Sequence, residues 1–134
     1  MMDLKILDIA SDTDNFRAIK DHTHNSKLKN SLCGDEVKIE LIIKNDKIID
    51  FGYQGNSCIY CRASANLLSK ISINNQKYEL NKICDDAKSF FDGNIKIKEK
   101  KKLLLFQKLF NKKNLLRKEC ILLPFQTLKK IVSN

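Results

Sequence analysis

Three cysteines and one aspartate carry the strongest chemical signal in this chain. Cys33 and Asp35 are separated by one residue and precede an apolar run, Cys58 follows a glycine turn, and Cys120 comes much later. Thiolates and carboxylates from separate segments are ligands that zinc or an iron–sulfur cluster takes in proteins. We therefore expect these segments to converge on one metal ion or cluster.

Two further thiols complicate this interpretation. Cys58 and Cys61 form a Cys-x-x-Cys pair, which is common in zinc half-sites and in redox proteins. A zinc site of that kind usually has a second such pair, which is absent, and the βαβ unit and cis-proline of a thioredoxin motif are absent too. Three roles are consistent with Cys61: an extra ligand, a resolving thiol or a packing residue. Cys84 is interpreted as a small buried apolar residue.

The composition favours a metal-binding protein over a nucleic-acid-binding one. With 134 residues the chain is long enough for one hydrophobic core, so we expect a single domain spanning residues 1–134. The formal charge of +9 rests on 22 lysines and only three arginines. Arginine supplies most bidentate phosphate and guanine contacts, so a lysine excess is typical of a solvated surface. Nucleic-acid binding is therefore not expected.

The number of cysteines and the hydropathy of the chain indicate the cellular compartment of the protein. Five cysteines, an odd number, without a signal peptide favour a reducing environment in which thiols bind metals rather than pair. No apolar run approaches the roughly 20 residues that a membrane-spanning helix needs. We expect a soluble, cytoplasmic protein without a membrane partner.

A β-hairpin must bring the first two cysteines together. Residues 37–44 alternate apolar and polar side chains, which predicts a half-buried strand, and Asn45-Asp46 predicts a hairpin turn. The returning strand is predicted at Lys47–Tyr53, with one face formed by Ile49, Phe51 and Tyr53. An antiparallel hairpin places Cys33, which precedes it, beside Cys58, which follows it.

Helices account for most of the remaining chain. Periodicity and capping residues predict them at Asp3–Ala10, Ile59–Ile71 with Ser57 as N-cap, Asn81–Phe91 with Asn81 as N-cap, Leu103–Phe110 and Leu115–Ile131, where Pro124 starts a new turn or a kink. Cys58 then lies at the positive end of a helix dipole, which favours its thiolate. The predicted fold class is α+β, a small antiparallel sheet of about three strands packed against helices.

Two segments are expected to lie outside these elements. Residues 12–31 are predicted to be irregular, with Asn15-Phe16 as their only anchor to the core and with His22 and His24 as solvated loop histidines. Residues 95–102 are rich in lysine and are interpreted as a solvated surface or a helix start.

Three ordered motifs resemble those of one known family. Residues 30–35, Asn-Ser-Leu-Cys-Gly-Asp, resemble its Asn-Pro-x-Cys-Gly-Asp signature, with serine in place of proline. Residues 51–64 resemble its Phe-x-Gly-x-x-Cys-x-x-x-x-Ala-Ser stretch, slightly respaced and with Cys61 at a usually small position. Residues 117–128 resemble its Arg-x-x-Cys-x-Leu-x-aromatic-x-x-Leu end. These are marks of the NifU/IscU-type iron–sulfur cluster assembly scaffold proteins.

Within that family the chain is most similar to the SufU-like branch. The interval between Cys58 and Cys120 is long, as in SufU proteins, and Glu119 stands where IscU members carry a ligand histidine. The chaperone-binding Leu-Pro-Pro-Val-Lys motif of IscU members is absent as well.

The resemblance implies a role for each matched residue. Cys33, Asp35, Cys58 and Cys120 match the family's ligands for zinc or iron, or for a 2Fe–2S cluster, and Cys33 matches the thiol that takes sulfur from a cysteine desulfurase. The implied partners are a cysteine desulfurase and iron–sulfur acceptor proteins. Arg117, which precedes Cys120 by three residues, is interpreted as a cation that stabilises the free thiolate.

Two classes of function are consistent with these residues. The first is iron–sulfur cluster biogenesis, in which the protein is an assembly scaffold or a metal-bound sulfur acceptor, and in the latter case a zinc-dependent sulfurtransferase. The alternative is a zinc-stabilised protein-binding module without sulfur chemistry, because three thiolates and a carboxylate also complete a closed tetrahedral zinc site.

Overall fold

The chain forms an antiparallel sheet with helices packed on it, as predicted for the α+β class. The structure is a computed structural model that describes residues 4–93, 106, 107, 109 and 112–133. Its elements in chain order are α1 (Leu4–Ser11), β1 (His24–Lys29), β2 (Glu36–Lys44), β3 (Lys47–Gln54), α2 (Ile59–Ser72), α3 (Lys77–Phe91), a 3-10 segment (Lys112–Arg117) and α4 (Lys118–Val132).

The β2–β3 hairpin is confirmed, with one difference in its inner face. Asn45 and Asp46 both adopt left-handed backbone conformations, with φ of 53° and 62°, as a tight hairpin turn requires. Past the turn, Ile43 pairs with Ile48 while Ile42 pairs with Asp50. Ile49 is therefore an extra, bulged residue. Simple alternation predicted Ile49 on the inner face, which is wrong because the bulge turns Ile49 outward: Ile48 is fully buried and Ile49 is 42% exposed.

The third strand lies in a segment that was predicted to be irregular. β1 pairs antiparallel with β2 and completes the sheet order β1-β2-β3. None of its residues is fully buried, and Leu28 is its one large apolar side chain. An edge strand of this kind is held by backbone hydrogen bonds rather than by an apolar face, so hydrophobic alternation does not reveal it.

The segment between α1 and β1 is anchored to the sheet at more points than predicted. Asn15 donates from Nδ2 to Ser69 Oγ at 2.9 Å, and the ring of Phe16 packs edge-on against Tyr53. Ile19, which was not singled out, is only 3% exposed. A Cβ on Gly52 would stand 2.7 Å from Cγ1 of Ile19, so the absence of a side chain there lets this segment lie against β3.

A buried carboxylate ties the same segment to β2. Glu40 is 5% exposed, and its Oε1 accepts a hydrogen bond from the backbone N–H of Ile19 at 3.0 Å. Nδ1 of His22 lies 3.0 Å from Oε2 of Glu40, and Nζ of Lys38 lies 3.6 Å from the same oxygen. The Ile19 hydrogen bond, followed by the charges of His22 and Lys38, lowers the pKa of Glu40 against the opposing effect of burial.

The helices agree with prediction over most of their length and differ at their starts. α2 begins at Ile59 as predicted, but its N-cap is Cys58 rather than Ser57. α3 begins at Lys77 with Gln76 as N-cap, so Asn81 lies inside the helix and accepts a hydrogen bond from Nζ of Lys129.

The C-terminal helix α4 also starts later than predicted. It begins at Lys118, three residues after the predicted start at Leu115, because the preceding residues form the 3-10 segment. Leu116 in that segment is 97% exposed. The predicted helix at 103–110 and the lysine-rich segment 95–102 lie largely outside the described residues.

The core lies between the inner face of the sheet and the helices. It joins one contiguous set of buried side chains, among which the largest are Phe51, Phe106, Phe125, Ile39, Leu41, Leu68 and Leu80. Within the described residues, no helix has the length and apolar character that crossing a bilayer requires.

We predict that Glu40→Gln weakens the fold in a pH-dependent way. The folded pKa of Glu40 lies below its ordinary value of 4.5, so its stabilisation is present above that pH and is lost as the pH falls through the folded pKa. The variant should lose about 1 kcal/mol of unfolding free energy at neutral pH, since a charged hydrogen-bond acceptor becomes neutral.

Urea unfolding of both proteins from neutral to acidic pH measures this effect. The difference in unfolding free energy between the wild type and Glu40→Gln should decrease steadily as the solution is acidified. Glu36→Gln is the matched control, because Glu36 lies on the same strand and its carboxylate pairs with Lys27 at a more exposed position. A difference that stays constant with pH would contradict the role given to the ionised carboxylate.

Candidate metal centre

The loop between β1 and β2 presents Cys33, and Asn30 shapes it. Oδ1 of Asn30 accepts hydrogen bonds from the backbone N–H groups of Leu32 at 2.8 Å and Cys33 at 3.2 Å. The backbone of Asn30 also bonds to Gly34 and to Asp35, each at 2.8 Å. Gly34 adopts a φ of 77°, which closes the turn. The loop therefore holds Cys33 exposed and Asp35 beneath it.

Two thiols and a carboxylate meet at this loop. The sulfur atoms of Cys33 and Cys120 lie 3.8 Å apart. Together with a carboxylate oxygen of Asp35, they form a group of potential ligand atoms that all lie within 4.8 Å of one another. The convergence predicted from sequence is thus present for these three residues.

Cys58 reaches the same group from the start of α2. It is not one of the three residues whose ligand atoms lie within 4.8 Å of one another, but Asp35 and Cys120 are near enough to act on the pKa of its thiol. It is brought there because the turn after β3 lies directly on the start of β2, where the backbone N–H of Glu36 donates to the carbonyl of Asn56 at 2.9 Å. Cys33 and Cys58 were expected to be neighbours, and both contact Cys120.

Burial dominates the acidity of the inner thiols. It raises the pKa of Cys58, and the hydrogen bond from the backbone N–H of Cys61 at the helix start offsets only part of that rise. Burial, and then the neighbouring sulfurs and Asp35, raise the pKa of Cys120. The start of α2 therefore acts on Cys58 in the predicted direction through the N–H of Cys61, but burial has the larger effect on its pKa.

The donor set fits a metal ion or an iron–sulfur cluster. Asp35 is 9% exposed, and its Oδ2 is buried without a hydrogen-bond partner among the described residues. A buried oxygen of this kind is destabilising unless a cation or a donor meets it. Three sulfurs and this oxygen match the tetrahedral coordination of zinc and also the thiolate-rich ligand sets of iron–sulfur clusters.

Arg117 contacts an aromatic ring on the helix that follows Cys58. Its guanidinium carbon lies 5.4 Å from the ring centroid of Tyr60, two residues after Cys58. Arg117 is exposed and directly precedes α4, which carries Cys120. Its predicted action on a thiolate stays a prediction, and the contact with Tyr60 was not foreseen.

The other candidate residues lie away from the cluster or inside the core. Cys61 is fully buried and Cys84 is 4% exposed, and burial raises the pKa of both thiols. Both positions agree with the packing interpretation. His22 pairs with Glu40, and Nδ1 of His24 lies 2.8 Å from Oγ1 of Thr23, so both histidines have partners elsewhere.

Pro124 and Ser64 shape the helix that carries Cys120. Pro124 lies inside α4, which continues through it, and it has no N–H to donate to the carbonyl of Cys120 one turn earlier. The hydroxyl of Ser64 donates to the carbonyl of Ile121 at 2.6 Å. This buried bond fixes α2 against α4 one turn below the thiols.

Comparison with known proteins decides the family. Residues 2–92 match the family model of the NifU-like N-terminal domain. The chain belongs to this family. NifU-like proteins include scaffolds on which iron–sulfur clusters are assembled, and the predicted resemblance is confirmed.

Two curated relatives of this NifU-like chain cover most of its length. It is 27% identical over 125 residues to the iron–sulfur cluster assembly scaffold protein IscU of Thermotoga maritima, covering 92% of this chain and 87% of the relative. It is 30% identical over 112 residues to an uncharacterized protein of Borreliella burgdorferi, covering 83% of this chain and 76% of the relative.

Solved structures place the NifU-like chain in the SufU-like branch. The SufU protein of Fervidobacterium islandicum AW-1, assigned as an iron–sulfur cluster assembly scaffold for the SUF system, superposes with a TM-score of 0.86 at 25% identity, covering 98% of this chain and 96% of that one. The N-terminal NifU-like protein of Brucella abortus, at 19% identity, shares the fold with a TM-score of 0.83, covering 98% of this chain and 91% of that one.

We predict that Asn30→Ala loosens the loop and weakens metal binding. The variant loses the acceptor that holds the N–H groups of Leu32 and Cys33. Outer residues that orient metal ligands typically change affinity by about 10- to 100-fold, so zinc affinity should fall by about tenfold or more. Competition with a chromophoric chelator measures it.

Two control variants separate this effect from a general loss of stability. Asn30→Asp keeps an acceptor oxygen and should retain most of the affinity. Asn25→Ala alters the same edge strand away from the loop and should bind zinc normally. Equal zinc affinity in Asn30→Ala and the wild type would show that the side chain of Asn30 does not orient the ligands.

Proposed function

We propose that this NifU-like protein acts in iron–sulfur cluster biogenesis by accepting sulfur on Cys33 at a metal centre formed by Cys33, Asp35, Cys58 and Cys120. One observation carries the proposal: an exposed thiol lies within 4.8 Å of a buried thiol and a buried carboxylate oxygen. The three inner ligands are sheltered, while Cys33 is open to an incoming protein. In this proposal the whole chain, residues 1–134, is a single domain.

The sulfur source that this arrangement suits is the persulfide of a cysteine desulfurase. The thiolate of Cys33 attacks the terminal sulfur of that persulfide, and the donor's sulfur–sulfur bond breaks. The desulfurase thiolate leaves with the electron pair, and Cys33 becomes a persulfide. No external oxidant is needed, because the transferred sulfur keeps its oxidation state. Iron–sulfur acceptor proteins then receive the sulfur or the finished cluster.

Each residue around Cys33 has a separate task in this scheme. A bound zinc or iron ion supplies the charge that keeps the buried thiols deprotonated. Asp35 offers a hard oxygen among soft sulfurs, which makes one bond that exchanges readily. Arg117 supplies a fixed positive charge near Cys120 that stabilises the Cys33 thiolate while it is off the metal.

We predict that Cys33→Ser abolishes sulfur acceptance and leaves the fold intact. Cys33 lies on an exposed loop outside the buried core, so its replacement removes the nucleophile without creating a cavity. Intact-mass spectrometry after incubation with a cysteine desulfurase and cysteine should show one added sulfur atom on the wild type and none on the variant.

The buried thiols provide the control for this experiment. Cys61→Ala should still accept sulfur, because Cys61 is fully buried and serves packing. Peptide mapping locates the adduct. An adduct on Cys61 or Cys84 that persists in Cys33→Ser would falsify the assignment of the acceptor.

Metal removal distinguishes sulfur chemistry from a purely structural zinc module. The core is a contiguous set of mostly apolar side chains from the sheet and helices; of the proposed ligands, Cys120 belongs to it and Cys58 packs against it. We therefore expect chelation to lower the thermal midpoint while the circular dichroism of a folded protein remains. In a structural zinc module, binding free energy is folding free energy, so the apo protein would unfold.

The same samples identify the metal. Protein isolated without oxygen is analysed for zinc, iron and acid-labile sulfide before chelation. Complete unfolding of the apo protein, together with absent sulfur uptake by the reloaded protein, would favour the binding module.

A further inference from the structure

Arg117 precedes Cys120 by three residues, and its described contact is with an aromatic ring. Arg17 forms an ion pair with Asp50 at 2.7 Å on the sheet. Arg62 lies over Phe16 at 5.5 Å, on the segment that covers the sheet. Arg117, three residues before Cys120, lies over Tyr60, two residues after Cys58, at 5.4 Å.

Tyr60 and Arg117 occupy the thiol end of the interface between α2 and α4. One turn further along each helix, Ser64 Oγ donates to the carbonyl of Ile121 at 2.6 Å. Tyr60 precedes Ser64 by four residues, and Arg117 precedes Ile121 by four. The two contacts are therefore about one helical turn apart along the same interface. The buried Ser64–Ile121 hydrogen bond holds α2 against α4. The Tyr60–Arg117 contact is therefore not needed for that packing and is available to act at the site.

An exposed arginine at the end of a 3-10 segment has many rotamers available. A ring face attracts a guanidinium through its quadrupole and reduces that freedom. Tyr60 is half-buried, so its ring is held by the protein while its face is open to Arg117. The contact thus converts a mobile cation into one with a defined place next to Cys58.

We propose that Tyr60 is a positioning residue that holds the Arg117 guanidinium at the rim of the thiol cluster, ready for the Cys33 thiolate during sulfur uptake. This inference rests on the proposed function and deepens it. Tyr60 acts through Arg117 and touches neither the sulfur donor nor the metal. The face of its aromatic ring, not its hydroxyl group, holds the guanidinium.

The first arm of the test measures the position of Arg117 without any sulfur chemistry. Phenylglyoxal modifies exposed guanidinium groups, and peptide mass spectrometry follows Arg17, Arg62 and Arg117 separately in one sample. In Tyr60→Leu, Arg117 should be labelled about two- to fivefold faster, the factor expected from losing an exposed cation–π contact. Tyr60→Phe keeps the ring face and should label as the wild type does.

The second arm measures sulfur uptake at increasing desulfurase concentration. In Tyr60→Leu the maximal rate should fall about two- to fivefold, while the half-saturating concentration stays unchanged, because the contact orients a cation and does not bind the partner. Tyr60→Phe should restore the rate. In an Arg117→Ala background, Tyr60→Leu should cause no further loss, since both substitutions remove one interaction.

Phe16→Leu is the matched control. It removes the ring under Arg62 in the same type of contact, on the segment between α1 and β1. Labelling of Arg62 should rise while that of Arg117 and the sulfur uptake stay at wild-type values. If Tyr60→Leu lowers the thermal midpoint strongly, Tyr60→Met, with a more adaptable side chain, replaces it in both arms.

The outcomes separate this inference from the proposed function. Unchanged Arg117 labelling in the Tyr60 variants overturns the inference, whatever the sulfur result. Faster labelling with an unchanged uptake rate also overturns it. If the wild-type protein takes up no sulfur, the proposed function is contradicted, and so is the role of Tyr60 that depends on it. Faster labelling with slower uptake, both restored by Tyr60→Phe, supports the inference.

Discussion

The site depends on one close approach of backbone to backbone at the open end of the hairpin. A Cβ on Gly55 would overlap the carbonyl of Glu36, and Gly55 adopts a φ of 135° that other residues rarely take. This glycine lets the turn after β3 lie on the start of β2. Cys58 then begins α2 directly beside the loop that carries Cys33 and Asp35. Without that approach, the two halves of the ligand set have no reason to meet.

Burial is graded across the ligand set, and the gradient explains the chemistry that we propose. Cys120 and Asp35 are nearly inaccessible, Cys58 is half-buried and Cys33 is exposed. Desolvation disfavours ionised thiols in the inner positions, so the set is complete only when a cation compensates the charge. The outer thiol, that of Cys33, stays exposed because its loop is shaped by hydrogen bonds to Asn30 rather than by packing.

The opposite face of the sheet shows a different use of buried charge. Glu40 is held by a backbone N–H, a histidine and a lysine, all from the sheet or from the segment that crosses it. This carboxylate is fully engaged by protein groups, whereas Oδ2 of Asp35 has no hydrogen-bond partner among the described residues. Glu40 therefore stabilises the fold through protein groups, whereas Asp35 keeps a buried oxygen available for a ligand.

The sequence by itself determined the fold class, the β2–β3 hairpin, the extent of α2 and the segments that carry the candidate ligands. These follow from local patterns: alternation along β2, the Asn45-Asp46 turn and the spacing of Cys33 and Asp35. Only the tertiary structure decided how deeply each cysteine is buried: Cys58 and Cys61 are three residues apart, yet Cys58 is half-buried and Cys61 is buried. Burial depends on which elements pack over a side chain, and a local pattern does not contain that information.

The edge strand, the bulge and the acidity of the thiols also needed the folded chain. β1 carries almost no apolar pattern and exists because β2 offers it backbone partners. The bulge at Ile49 depends on the pairing register and turns Ile49 outward, while Phe51 and Tyr53 stay on the predicted inner face. The helix dipole at Cys58 is readable from sequence, but the burial that outweighs it arises only when α2, α4 and the Asn30 loop pack together.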